Sequence, residues 1–126
     1  MQDFQNMFAE LFELESNIEK YEWIMDYSDQ RISLSEQYRT GEYLVPGCTS
    51  PLWLAKIDGQ YSIYGSSLIV NGLAGMIVDW YNQANAEQRQ QLSLDMLSDI
   101  GLAPLISMGR QNGIANLIAR LKSYEQ

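Results

Sequence analysis

The sequence contains no histidine and a single cysteine, Cys48, among 126 residues. Without an imidazole, no Ser-His-Asp or Cys-His couple can activate a nucleophile inside this chain. A zinc site built from histidine and cysteine, or a cluster held by several thiolates, needs more ligands than one chain carries, so no metal is expected. One cysteine also excludes an internal disulfide, which suits a reducing compartment. Basic residues are scarce: eight Lys and Arg stand against sixteen Asp and Glu, a net charge of −8. That balance disfavours nucleic acid and anionic lipid, both of which need a basic footprint. No apolar run approaches the roughly 18 residues of a membrane span. The opening stretch MQDFQNMFAELFELE lacks the basic start and small-residue cleavage site of a secretory signal. It also lacks the Arg/Ser-rich character of a transit peptide, and the expectation is a cytoplasmic protein.

What is present is ordinary globular material, 46% hydrophobic and 19% charged, in a length that suits one domain over residues 1–126. The charge is uneven. Residues 1–42 hold ten acids against three bases, a net of −7, and the other 84 hold six against five. A solvated acidic helix surface accounts for most of these carboxylates, and a face for a basic partner is the other reading.

Periodicity divides the chain into three parts. Asp3 is placed to cap a first helix carrying Phe4, Met7, Phe8, Leu11, Phe12 and Leu14 at helical spacing. Ser16 with Glu19 forms a capping box for a second helix, running to about Tyr27 with Ile18, Tyr21, Ile24 and Met25 inward. A polar loop follows to Gly41. The period then changes to two, and residues 42–46, 51–57 and 60–65 are expected as three short strands of an antiparallel meander. Asp58-Gly59 is a two-residue hairpin signal between the second and third. Leu68, Ile69, Leu73, Met76, Ile77 and Trp80 begin the helical remainder. Caps at Asn85, Ser93 and Ser107, a stop at Gly101 and a turn at Pro104 divide it into three to four helices. The sum is an α+β layer fold.

Residues 45–53 read VPGCTSPLW, so the one thiol sits in a Gly-Cys bend between two prolines and large apolar neighbours. Free cysteine is usually a small buried hydrophobe. Bends rich in glycine and proline lie at the surface and present their side chains. The residues alone leave both readings open.

Beyond spacing, VPGCTSPLW resembles the G-C-x-S-x-[VL]-W element of the SufE/CsdE family of sulfur-acceptor proteins. Glu19-Lys20-Tyr21 with Ile24 is similar to that family's W-E-x-K-Y-x-x-I helix, with Asn17 where tryptophan is usual. Ile69-Val70-Asn71-Gly72-Leu73 resembles its I-V-x-G-L helix start, and Leu97-Ser98-Asp99-Ile100-Gly101-Leu102 its short penultimate helix. Arg110-Gln111-Asn112-Gly113-Ile114 is similar to its S-x-R-x-[NQ]-G-[LI] motif. Two departures stand out. Gly65-Ser66-Ser67 carries no carboxylate where the family has an acidic G-D-S-[DE], and Thr49 replaces a frequent glutamine.

The resemblance implies a SufE/NifU-like fold and a sulfur relay. Cys48 would take persulfide sulfur from a cysteine desulfurase of the SufS/CsdA type, stimulate that enzyme, and pass sulfur to an iron–sulfur scaffold or another acceptor. Such a chain is a carrier more than a stand-alone enzyme. It needs no cofactor of its own, pyridoxal phosphate being expected only on the partner desulfurase. Gly47 and Ser50 are expected to shape the loop, and Thr49 to support the site. Val45, Leu52 and Trp53 are placed to cover the thiol, although plain core is an equal role for Trp53. Arg110 is the candidate to lower the thiol pKa through space, and a surface arginine is the other reading of it. Asn112 and Gly113 read as close helix packing near the site. The competing expectation is an interaction module of the same fold that regulates a partner without carrying sulfur.

Overall fold

The structure is a computed structural model that describes residues 2–125. Its N-terminal stretch departs from the expected pair of helices. Helix α1 (Gln2–Met7) stops at Phe8 and α2 (Ala9–Glu13) resumes after it, so three helices precede the sheet. Phe8 leaves helical φ/ψ where its ring wedges edge-on against Phe4, Trp23 and Tyr27. Asp3 caps nothing. It lies inside α1 and accepts a hydrogen bond from the Trp80 indole at 2.6 Å, a tie across 77 residues that no local pattern encodes.

Helix α3 (Asn17–Gln30) starts at the expected cap, the Ser16 hydroxyl accepting from the Glu19 amide at 3.1 Å. The Glu19 carboxylate accepts from that hydroxyl and not from the Ser16 amide, so the capping box is half made. The helix runs three residues past Tyr27, and in that last turn the buried Ser28 hydroxyl accepts from the Asn71 side chain at 2.7 Å. Just beyond its end, Arg31 forms a two-pronged ion pair with Asp79, at 2.8 and 3.2 Å, and Tyr27 donates to the same carboxylate. Burial first, and then that hydrogen bond, pushes the Tyr27 hydroxyl well above the usual tyrosine range.

The sheet has two strands and not three. Strands β1 (Leu52–Ile57) and β2 (Gln60–Gly65) pair antiparallel from Leu52 opposite Gly65 to Ile57 opposite Gln60. Asp58 and Gly59 both adopt positive φ between them, the two-residue turn their sequence announces. Residues 42–46 form no strand. Gly41–Tyr43 is a 3₁₀ turn, and the Tyr43 and Leu44 amides bond locally to Thr40 and Gly41. Only an isolated bridge between Leu44 and Trp53 remains, with the Val45 amide bonded to Leu52 at 2.8 Å. Pro46 then has no amide to offer, and pairing ends there.

Helix α4 (Leu68–Gln83) is the centre of the fold, packed on β2 and crossing α3, with every residue from Val70 to Val78 buried. A Cβ on Gly72 would overlap Ile24, so glycine sets the close approach of α3 and α4. The Asn71 side chain ties the layers together by accepting from the Gly65 amide and donating to Ser28. Inward Leu54 and Ile63 of the hairpin complete the core beneath it, each contributing about 2 kcal/mol of transfer free energy.

Three further helices follow the expected punctuation. Helix α5 (Ala86–Gln91) has an Asn85–Gln88 capping box, and α6 (Leu94–Leu97) is capped by Ser93. A wide turn, Ser98–Leu102, holds Gly101 inside it at φ 99°. Helix α7 (Met108–Ser123) begins after Ser107, whose side chain makes no capping bond. Among the described residues, no helix is long and apolar enough to cross a membrane.

Candidate functional site

The bend bearing Cys48 runs from Val45 to Leu52, where β1 begins, and both of these are core residues. Among the described residues, no backbone–backbone hydrogen bond joins residues 46–50 to the rest of the fold, and the flanking ones are at Val45 and Pro51. Gly47 turns the chain with φ 85°, a conformation open to glycine at little cost. What holds the bend is one face of α7. The Asn116 side-chain amide donates to the Pro46 carbonyl at 2.8 Å, and the Thr49 hydroxyl donates to the Gly109 carbonyl at 3.3 Å. Between those two ties, the Cys48 sulfur rests directly over Gly113. A Cβ there would collide with the sulfur and lie 3.2 Å from the Cys48 Cβ.

Cys48 is half-buried and free. Its thiol opens into a pocket of about 10 Å³, lined by Thr49, Ser50, Val70, Gly109, Arg110 and Ile114. That is room for roughly one water-sized atom. Burial pushes the Cys48 thiol up from its ordinary pKa, with no charge set against it. Arg110 shares the pocket wall, but its guanidinium donates to the Leu105 carbonyl at 3.2 Å and lies 5.8 Å from the centre of the Tyr21 ring. In this resting arrangement the Arg110 guanidinium is engaged by Leu105, and burial is the one influence resolved on the thiol pKa.

The expected residues therefore separate. Gly47, Thr49, Ser50 and Arg110 gather around Cys48, while Trp53 does not line its pocket. Trp53 stacks on Tyr64 across the hairpin at 5.9 Å, and Arg39 covers the Tyr64 ring at 3.6 Å. Val45 and Leu52 belong to the core, and the apolar cover of the thiol comes from Val70 and Ile114 instead. The reason is alternation: Trp53 lies between the buried Leu52 and Leu54 and so faces away from the layer that holds the thiol.

Gly113 lies near the site as its sequence context suggests, and Gly109, Asn116 and Val70 join it unexpectedly. A signal existed. Gly109, Gly113 and Asn116 recur at spacings of four and three, one stripe of a helix, and small residues in such a stripe mark a close approach. Nearby, the neutral Gly65-Ser66-Ser67 stretch serves geometry. Ser67 caps α4, and the Ser66 amide donates to the Pro51 carbonyl at 3.0 Å, fixing the far end of the bend. Among the described residues, no group of three or more Cys, Asp or Glu converges to hold a metal ion.

Comparison with known proteins covers almost the whole chain. The SufE family, described as an Fe-S metabolism associated domain, matches residues 5–125. A SufE-like protein 1, chloroplastic/mitochondrial, of Arabidopsis thaliana is 29% identical over 104 residues, which are 79% of this chain and 28% of that one. This chain thus spans well under a third of the Arabidopsis protein. An uncharacterised SufE-like protein of Rhizobium meliloti (strain 1021) is 30% identical over 114 residues, covering 83% of this chain and 81% of its own. Another, from Rhizobium etli, is 28% identical over 113 residues, covering 82% and 76%.

Proposed function

The chain belongs to the SufE family, and from that premise we propose that it is a sulfur carrier that receives persulfide sulfur on Cys48 from a cysteine desulfurase. The observation that carries the reading is the placement of the thiol. It is free, at the tip of a bend without backbone ladder bonds, over a pocket with room for about one more atom.

The transfer is an exchange between sulfurs with no net redox change. The Cys48 thiolate attacks the terminal sulfur of the donor's cysteine persulfide and a new S–S bond forms. The donor's S–S bond breaks, and its electron pair leaves on the donor cysteine as thiolate. Cys48 then carries –S–SH. A second exchange hands that sulfur to an iron–sulfur scaffold or another acceptor and returns Cys48 to a thiolate. With no second cysteine in the chain, no internal thiol can collapse the persulfide to a disulfide. A reducing compartment such as the cytoplasm suits a carrier whose working form is a free thiol.

Burial raises the Cys48 pKa above its ordinary value and so disfavours the thiolate while the bend rests on α7. Docking that lifts the bend off α7 hydrates the sulfur and restores an ordinary pKa. The partner can supply further positive charge.

The test is to incubate the protein with a cysteine desulfurase and cysteine and weigh it intact. The expected result is the mass of one added sulfur on the wild type and none on Cys48→Ser. The neutral Ser66-Ser67 stretch, where the family is acidic, favours a second reading in which the chain regulates a desulfurase without carrying sulfur. Stimulation of the desulfurase that survives Cys48→Ser, with no mass gain on the wild type, would establish that reading in place of the first.

A further inference from the structure

Cys48 must leave α7 to meet another protein's sulfur, and the structure shows what it must leave. Over the whole bend, the shortest tie to the helix is the Asn116 side chain, whose amide nitrogen lies 2.8 Å from the Pro46 carbonyl across 70 residues of sequence. The same nitrogen occupies the space where a side chain on Gly47 would begin. Glycine and amide thus fit as a pair: Gly47 leaves room for Asn116 to reach over the turn and take the carbonyl just before it. The second tie, from Thr49 to Gly109, is longer at 3.3 Å. Gly113, which lies between these ties along α7, offers no side chain and lets the sulfur sink against the helix.

We propose that Asn116 is the latch of the Cys48 bend, a positioning residue whose hydrogen bond to Pro46 sets how often the thiol is exposed. The proposal takes from the carrier reading only the need for Cys48 to emerge. Neutral, partly exposed hydrogen bonds contribute little net free energy, so the latch is strong enough to bias the bend and weak enough for docking to release it. Loss of one such bond raises the open fraction about fivefold. The released bend keeps its path through the sheet at Val45 and Leu52, so opening is local.

The experiment measures alkylation of Cys48 by iodoacetamide in the free protein across pH, with no desulfurase present. Asn116→Ala removes the arm. Asn116→Asp keeps its shape and replaces the donating amide with an acceptor. Reading the plateau rate at high pH, where the thiol is ionised in every form, separates exposure from any effect of the new charge. Both variants are expected to raise the plateau about fivefold with the melting temperature little changed. Asn112→Ala, one turn earlier and exposed, is expected to leave it at the wild-type value. Wild-type plateaus in both Asn116 variants, or an equal rise in Asn112→Ala, would overturn the latch. The two readings fail separately. If the carrier reading is wrong, no form gains sulfur mass from a desulfurase, yet the alkylation rates still differ. If the latch is wrong, the rates coincide while the wild type still takes up sulfur.

Discussion

Two segments of this chain lean on its central helices, and they are held in opposite ways. Past α3, Arg31 is nearly enclosed, its side chain 7% exposed, and it grips Asp79 of α4 with two charged hydrogen bonds while Tyr27 caps the same carboxylate. Gly75 gives the guanidinium stem its groove, since a Cβ there would strike Arg31. Before β1, the Cys48 bend has neutral, single hydrogen bonds at partly exposed positions and a sulfur laid on a bare stretch of helix. Charge-assisted, two-pronged and part-buried bonds hold more strongly than neutral single bonds at exposed positions. By that contrast the α3–α4–hairpin layer is the more firmly held part and the bend the more weakly held one.

The largest expected effect tests the fixed side. Arg31→Ala strands the Asp79 carboxylate and leaves a void beside Gly75, and it should destabilise the protein by about 3 kcal/mol in urea unfolding. A loss well under 1 kcal/mol would place the framework elsewhere. Gly113→Ala strikes the moving side. Its Cβ occupies the sulfur's resting place, so the bend must rise, at a cost of about 1 kcal/mol because it can yield. Cys48 should then alkylate faster than in the wild type, and an unchanged rate would mean that the sulfur has another resting place. The gentlest test varies only pH. Burial alone raises the thiol pKa, so the midpoint of the alkylation rate should lie at higher pH in the folded protein than in the urea-unfolded chain. A folded midpoint below the unfolded one would reveal an activating charge that the resting structure does not place there.

The sequence showed these parts unequally. Signals that act within four residues carried over: Ser16 with Glu19, Asp58-Gly59, Asn85 with Gln88, and Gly101 all do what their local chemistry requires. The Gly-Cys bend and its neighbours Thr49 and Ser50 were legible for the same reason. Residues whose role depends on a distant partner were not. Asp3 is bound to Trp80, Arg110 to Leu105 and Tyr21, and Asn116 to Pro46, and nothing in their surroundings in sequence announces it. The lost strand at 42–46 lies between these cases. Its alternation was right for extended chain at Leu44 and Val45, but the 3₁₀ turn before them and the proline after them left one bridge in place of a ladder. Trp53 shows the same limit, since period two says that it alternates with its neighbours and not which face meets the thiol.

Labelling Cys48 in the native protein at increasing, sub-denaturing urea tests the division between framework and bend most directly. Local release of the bend exposes little new surface, so the labelling rate should stay nearly flat with urea and correspond to an opening free energy far below that of global unfolding. A rate that climbs with the full urea dependence of unfolding, at the global free energy, would mean that the thiol emerges only when the whole fold does, and a sulfur carrier cannot work that way.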